Sequence, residues 1–313
     1  MSDQQTTPWI TCICPTYKRP DHLRNALACY AAQDYQHRNL IVMDDAGQHA
    51  VQAGQQGAPW LLLTVPHRYS TLPDKLAAMI NIAIPGTSRR SVPWPSQFVR
   101  WSGDRGQQRP DIVAIWEDDD IYLPTHLAQI ADAWRPGERQ YFVPSTVLST
   151  YGQPLGGTQV EQTGGRFHAS WAYSVELLGH VGYPETDRLD FDQQMGATAR
   201  RASNATVQFG GATPYGDLDR PTYCYRWGNG IYHGSQAGEE GYRDLWDRLG
   251  RMPAPPVRET GPMFDAETRA IYRSRGFSNR LECATCRVPL EQWESSRCER
   301  CEKKSPVGEV AAR

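Results

Sequence analysis

Four short, nearly unbroken apolar runs punctuate the first half of the chain: Trp9 to Cys14, Leu40-Ile41-Val42-Met43, Leu61-Leu62-Leu63-Thr64-Val65 and Ile112 to Trp116. Runs of this length and continuity predict strands covered on both faces rather than half-exposed ones, which would alternate apolar and polar positions. Between them the period changes. Leu23, Leu27, Tyr30 and Ala31 behind Pro20 follow helical spacing, as do Leu76, Met79, Ile80 and Ala83, and then Leu127, Ile130, Ala131 and Trp134 behind Pro124. The predicted order is βαββαβα, which implies a largely parallel sheet flanked by helices. In such sheets ligands bind beyond the carboxyl ends of the strands. Pro15-Thr16-Tyr17, Asp44-Asp45 and Glu117-Asp118-Asp119-Asp120, each standing directly behind a strand, are therefore expected on one rim.

Pro85 to Pro110 carries no periodicity and is rich in Pro, Gly, Ser and Arg, including Arg89, Arg90, Arg100, Arg105 and Arg109. It predicts a long loop, read either as a basic lid or as a solvated insertion. The pattern weakens again from about Gly234 to Arg280. The expected division is a catalytic domain over 1–235, a linking region with some helix over 236–280, a cysteine module over 281–304 and a flexible tail over 305–313.

A chain of 313 residues, 39% hydrophobic and 22% charged, has room for one sizeable catalytic domain and a small second module. Its net charge of -2 argues against binding mainly to nucleic-acid phosphates. No run approaches the ~18 apolar residues of a membrane span, and the start lacks a basic, apolar signal. The expectation is a soluble, cytoplasmic protein.

The acidic run Glu117 to Asp120 is the strongest chemical signal. Hard divalent cations take carboxylate oxygens from one or two side chains and complete their shell with substrate phosphates and water. The competing reading is an acidic turn that caps the helix beginning near Pro124, although one cap needs one carboxylate. Asp44-Asp45 taken alone reads as a turn, Lys75 as a solvated helix residue and His233 as a structural histidine.

Cysteines fall into two groups. Cys12 and Cys14 share one side of a strand and are expected to pack as small apolar residues, and Cys29 and Cys224 are scattered. Cys283-Ala284-Thr285-Cys286 and Cys298-Glu299-Arg300-Cys301, separated by the eleven residues Arg287 to Arg297, have the spacing of a four-cysteine zinc ribbon. With four protein ligands such a zinc would be structural. A redox pair would sit near a βαβ unit, and disulfides are not expected in a cytoplasmic chain. Arg280 to Lys304 holds six basic and five acidic residues, a difference of one. That balance favours a protein partner or self-association over DNA.

Taken in order, these motifs resemble the family-two glycosyltransferases. The match covers roughly Trp9 to Ser235 in separate blocks: Cys14-Pro15-Thr16-Tyr17 with Arg19-Pro20, Val42-Met43-Asp44-Asp45-Ala46, Leu72 to Asn81 around Lys75, Trp116 to Pro124, Ser174 to Pro184 and Tyr223 to His233. The resemblance implies a GT-A fold with a mostly parallel sheet flanked by helices, and a nucleotide-diphosphate sugar donor, with a UDP-sugar the first expectation. It implies donor contacts at Pro15, Thr16, Tyr17, Arg19, Asp44, Asp45, Arg68, Lys75, Asp118 and Asp119. It implies Mg2+ or Mn2+ held by Asp120 with Asp118, and His233 as a third ligand. The family's catalytic base lies in an acidic pair after the segment ending Gly182-Tyr183-Pro184; here Leu189-Asp190 replaces the usual Glu-Asp, which leaves Asp187, Asp190 and Asp192, with Asp190 preferred on spacing. The implied activity is inverting, metal-dependent glycosyl transfer to an acceptor hydroxyl. That altered pair keeps a second reading open, a non-catalytic nucleotide-sugar-binding or zinc-ribbon adaptor protein. A nucleotidyltransferase would be expected to carry a Gly-rich opening loop, which Cys14-Pro15-Thr16-Tyr17 lacks.

Overall fold

The structure, a computed structural model, describes residues 7–47, 52–53, 60–65, 68–87, 109–149, 158–163, 166–184, 190–209, 221–225, 258–260, 281–282 and 289–290. Most of the Pro85 to Pro110 loop, the bulk of 236–280, and Asp187, His233, Cys283, Cys286, Cys298 and Cys301 lie outside the described residues. The chain divides into two compact units, Met1–Val147 with Gln162–Tyr225, and Leu148–Glu161 with Arg226–Arg313.

The first unit begins with β1 (Ile10–Thr16), α1 (Pro20–Ala31), β2 (Arg38–Asp44), the short β3 (Gln52–Ala53), β4 (Trp60–Thr64) and α2 (Leu72–Ala83). It continues through β5 (Ile112–Ile115), β6 (Ile121–Tyr122), α3 (His126–Ala133), β7 (Gln140–Pro144) and β8 (Thr146–Ser149), whose end crosses into the second unit. After β9 (Thr158–Gln162), which belongs to the second unit except for its last residue, the first unit resumes with β10 (Ala172–Ser174), α4 (Val175–Val181), α5 (Phe191–Ala202), β11 (Ala205–Phe209) and β12 (Tyr223–Tyr225). In the second unit β13 (Arg258–Thr260) pairs antiparallel with β9, and β14 (Leu281–Glu282) pairs antiparallel with β15 (Pro289–Leu290).

One eight-stranded sheet organises the first unit in the order β11-β7-β10-β5-β1-β2-β4-β3. Strands β5, β1, β2 and β4 run parallel to one another, as the apolar runs predict. The antiparallel β10 between β5 and β7 was not visible in the pattern, since three residues are too few to establish a period. The fold is thus mixed α/β, a mostly parallel central sheet flanked by helices.

Strand alternation sends successive side chains to opposite faces, and the two faces bury different helices. Ile13, Ile41, Met43, Val113 and Ile115 pack with Leu76, Met79 and Ile80 of α2, Leu177 and Leu178 of α4, and Met195 and Ala199 of α5. Each such side chain contributes roughly 1.5–3 kcal/mol when fully buried. On the other face Cys12 and Cys14 are fully buried free cysteines, as expected for core packing. Trp116 anchors this face, its indole donating to Ala26 O at 3.2 Å and its ring meeting Tyr30 edge-on and Tyr122 in a stack.

Local details depart from expectation where pairing overrides sequence pattern. Strand β1 extends past Cys14 through Pro15 to Thr16, paired with β2 to its end. Pairing with β5 stops at Ile13, which leaves room for a proline that cannot donate. The buried face of α1 is Leu23, Ala26, Cys29 and Tyr30, with Leu27 and Ala31 only half-buried. Helix α3 starts at His126, two residues beyond Pro124.

Candidate active site at the sheet rim

The parallel register lines up the ends of three strands. Thr16 pairs with Asp44 across β1 and β2, and Trp116 N–H donates to Ile13 O at 2.9 Å across β1 and β5. Just beyond that contact, Thr16 Oγ1 donates to Asp118 Oδ2 at 2.6 Å. Arg19, in the turn between β1 and α1, spans the acidic run, with Nη2 2.5 Å from Asp118 Oδ1 and Nη1 2.6 Å from Asp119 Oδ2. Asp118 is fully buried, and burial pushes its carboxyl up to about 7 against the pull of Arg19 and Thr16. Burial also works against the charge on Arg19, but Asp118 and Asp119 together outweigh it and raise the guanidinium pKa.

A second acid closes the same network. Lys75, in the first turns of α2, donates from Nζ to Thr16 O and to Asp45 Oδ1, both at 2.6 Å. Asp45 Oδ2 also accepts from Tyr69 N at 3.0 Å, and Asp44 Oδ1 accepts from Ala46 N at 2.9 Å. Helix α2 is aimed there by its own start: Thr71 accepts from Asp74 N at 3.2 Å, and Pro73 occupies the first turn. Burial lowers the Lys75 pKa, and Asp45 opposes the shift. Asp119, Arg19, Asp118, Thr16, Lys75 and Asp45, far apart in sequence, form one connected chain of polar contacts. Lys75 is a buried strut of that chain, not the solvated helix residue it resembles when taken alone.

Tyr17 and Arg68 sit at the edge of this network. The left-handed backbone of Lys18 (φ 55°) ends the extended run of β1, and the Arg68 guanidinium lies 4.3 Å from the centre of the Tyr17 ring. Tyr17 is half-buried, so a partly open aromatic surface flanks the ends of β1 and β2.

The acidic run itself is a tight turn joining β5 to β6. Glu117 N–H donates to Tyr122 Oη at 2.7 Å, and Tyr223 Oη donates to Asp120 Oδ2. Tyr223 comes from β12, which pairs antiparallel with β6; the rest of the expected Tyr223 to His233 segment beyond Tyr225 lies outside the described residues. Burial first, and then the charge of Asp120, raises the pKa of both Tyr122 and Tyr223 and keeps them as hydroxyl donors. Glu117, Asp119 and Asp120 each offer a carboxylate oxygen, all within 4.8 Å of one another. This grouping differs from the one expected: Asp120 belongs to it, Asp118 is engaged by Thr16 and Arg19 instead, and His233 lies outside the described residues. A four-residue turn keeps no period of two, so the sequence could not say which acids would converge.

Of the three base candidates, Asp190 stands at the start of α5 and accepts from Gln194 Nε2 at 3.1 Å, and Asp192 accepts from Gln193 N at 2.8 Å. Asp192 lies close enough to raise the pKa of buried Tyr183, where burial is the largest cause and Glu117 also contributes. His168 and Tyr183 link these two sides; Tyr183 was marked only as part of Gly182-Tyr183-Pro184, and His168 carried no sequence signal.

Neither a protein-family model nor a curated protein matches the sequence. Among solved structures the chain is similar to S. aureus TarS 1-349 in complex with UDP-GlcNAc, at 12% identity over 86% of this chain and 72% of that one, with a TM-score of 0.49. A longer TarS chain is covered over 44% of its length. It is also similar to the mannosyltransferase PcManGT from Pyrobaculum calidifontis in complex with GDP-Man and Mn2+, at 15% identity over 87% and 70% of the two chains and a TM-score of 0.44. At identities and scores this low, what the chain does has to be read from its own residues. No helix among the described residues is long and apolar enough to cross a membrane.

Proposed function

We propose that this chain is a glycosyltransferase that binds a nucleotide-diphosphate sugar at the sheet rim and transfers the sugar to an acceptor hydroxyl. The observation that carries this reading is the convergence of Glu117, Asp119 and Asp120 within 4.8 Å behind β5, on the rim that also holds Asp45, Lys75 and Arg19. An all-carboxylate donor set suits Mn2+ or Mg2+ and not a soft metal. A bound cation of this kind supplies positive charge against a departing diphosphate. Asp120 is the preferred ligand, with Asp119 and Glu117 beside it, and Tyr223 orients Asp120 from the protein side. Asp118 and Arg19 hold the turn from beneath. Tyr17 with Arg68, next to Asp44 and Asp45, offers a flat cationic surface for the nucleotide base. The donors GDP-Man and UDP-GlcNAc seen with the similar structures support testing both nucleotide classes, with a UDP-sugar first.

Asp190 is the proposed general base, which would take the acceptor proton on the side of the sugar away from the diphosphate and so invert the anomeric centre. General-base assistance is worth ~10^2 to 10^4-fold in rate. The two CxxC pairs carry a separate proposal from spacing alone, a structural zinc bound by Cys283, Cys286, Cys298 and Cys301. Stoichiometric zinc in freshly purified protein is the expected result of elemental analysis.

The deciding experiment screens UDP- and GDP-sugars for Mn2+-dependent thermal stabilisation and donor hydrolysis. Stabilisation with hydrolysis by the wild type, and stabilisation without hydrolysis by Asp190→Asn, is the expected pattern. Stabilisation without any turnover in the wild type would replace this reading with the non-catalytic one. Full turnover by Asp190→Asn would move the base to Asp192 or Asp187.

A further inference from the structure

His168 is buried, only 6% exposed, in a 3-10 turn (His168–Ser170) that is entered through Phe167 in the left-handed region at φ 65°. A non-glycine residue held there marks a segment whose surroundings over-determine its shape. The imidazole is gripped on three sides by rings: Trp171 at 5.3 Å, Phe191 at 5.4 Å and Tyr183 at 6.2 Å. Its Nε2 lies 2.6 Å from the Tyr183 hydroxyl, which is itself buried. Its other nitrogen, Nδ1, has no hydrogen-bond partner among the described residues and lies 3.6 Å from Glu117 Oε1. A buried ring nitrogen without a partner is uncommon, and here it is aimed at one acid of the rim cluster. The same turn is tied to Glu117 a second time. Tyr122 Oη accepts from Glu117 N at 2.7 Å and donates to Ala169 O at 3.0 Å.

We infer that His168, oriented by Tyr183, is a positioning residue for the Glu117 carboxylate, and that the pair fixes how tightly the acidic turn holds a divalent cation. This rests on the reading of Glu117, Asp119 and Asp120 as a cation site. Three carboxylates within 4.8 Å repel one another, and each has to be held by something else for the cluster to keep its shape. Arg19 holds Asp119 and Tyr223 holds Asp120, so Glu117 is the member whose side-chain support must be found. When the Tyr183 hydroxyl donates to Nε2, the remaining proton of a neutral imidazole sits on Nδ1 and faces the carboxylate. The contact at 3.6 Å is just beyond hydrogen-bond range, which suits a carboxylate that settles only when its ligand is present. Carboxylates that bind metals are commonly fixed by such outer contacts, and losing one weakens metal affinity about 10- to 100-fold.

The link also has a direction. Phe191, which packs on the His168 ring, is the first residue of α5 and follows Asp190 directly. Tyr183 precedes the same helix and feels both Glu117 and Asp192. One imidazole thus connects the cation turn with the start of α5, where Asp190 and Asp192 stand. A change in Glu117 on cation binding would be felt at the start of α5 through the His168 ring.

The test measures binding of Mn2+ alone, by the electron paramagnetic resonance signal of the free ion, to the full-length wild type and to His168→Leu, His168→Asn and Tyr183→Phe. His168→Leu and Tyr183→Phe should each weaken Mn2+ binding about 10-fold or more. His168→Asn, whose amide can donate from near the Nδ1 position, should recover most of the affinity. Thermal melting without metal serves as the folding control. Recovery by Asn is the result that packing alone does not give, since Leu fills the space better. If His168→Leu does not fold, the isosteric Tyr183→Phe decides. Wild-type Mn2+ binding with equal affinity in Tyr183→Phe and every folded His168 variant would overturn the inference while leaving the cation site standing. Absence of Mn2+ binding by the wild type would overturn the cation reading and this inference with it.

Discussion

Lys75 and Asp45 form a buried ion pair of 2.6 Å, their side chains 5% and 4% exposed, that joins helix α2 to the end of β2. Each group is tolerated in the interior because the other is there, and the Thr16 carbonyl accepts a further hydrogen bond from the ammonium. Removing one partner strands the other. Lys75→Met should destabilise the protein by roughly 3–5 kcal/mol in urea unfolding, since breaking a buried pair leaves an uncompensated charge. The double variant Lys75→Met with Asp45→Asn should lose clearly less than the sum of the two single losses. Strict additivity would mean that the contact carries little coupling.

Asp119 and Asp120 differ in how they are held, which separates their contributions. Arg19 already compensates Asp119, whereas Asp120 accepts from the neutral hydroxyl of Tyr223. Asp120→Asn is therefore expected to remove Mn2+-dependent stabilisation almost entirely, and Asp119→Asn to weaken it while leaving Arg19 paired with Asp118 alone. At 100 times its dissociation constant, a cation stabilises the native state by about 2.7 kcal/mol, and EDTA should reverse the gain. Thermal melts with and without Mn2+ read this directly. An Asp120→Asn protein stabilised as much as the wild type would remove Asp120 from the cation site.

The order of strands and helices around this rim was legible because a parallel sheet buried on both faces leaves unmistakable apolar runs, as at Leu40 to Met43. The rim itself was legible for the same reason, since parallel strands must place Thr16, Asp44 and the acidic turn at a common end. What the pattern could not carry is orientation within a turn. Asp118 and Asp119 are adjacent and chemically identical, yet one is fully buried against Thr16 and Arg19 and the other faces its neighbours in the cluster. That choice depends on the register between β1 and β5, which no local window contains. The role of His168 was hidden for a related reason: its meaning comes from Glu117, about 50 residues earlier, and an isolated buried histidine carries no mark of its partner.

His126 gives the fold a specific acid sensitivity. It is fully buried among Trp116, Tyr122, Phe209 and Tyr223, its Nδ1 is 2.9 Å from Thr222 Oγ1, and its Nε2 has no hydrogen-bond partner among the described residues. Burial lowers its pKa from 6.5 to about 3. The unfolded chain therefore takes up a proton near 6.5 that the native state refuses until about 3. Stability from this group is fully present above the unfolded value and declines by about 1.4 kcal/mol per pH unit as the pH falls toward the folded one. Between pH values of about 7.5 and 5.5, the wild type should lose about 1.4 kcal/mol more than His126→Gln in urea titrations. Parallel pH dependences in the two proteins would show that His126 is protonated as easily when folded as when unfolded.

Gly196 tests how closely α5 is seated on the sheet. In an exposed helix, replacing glycine with alanine gains roughly 1 kcal/mol. Here an added Cβ would meet Trp171 Cη2 at 2.9 Å and Cζ3 at 3.2 Å. Trp171 has little freedom to yield: it is fully buried, its indole donates to Arg166 O at 3.1 Å, and Tyr141 packs edge-on against it at 5.3 Å. Overpacking of this kind costs about 1–3 kcal/mol and outweighs the helix propensity. Gly196→Ala should therefore lower the melting temperature, and Trp171→Phe added to it should recover part of the loss by opening the contact. Because α5 begins at Phe191, next to Asp190, the same shift should reduce turnover more than nucleotide-sugar affinity. A Gly196→Ala protein more stable than the wild type would mean that the helix sits further from Trp171 than these contacts require.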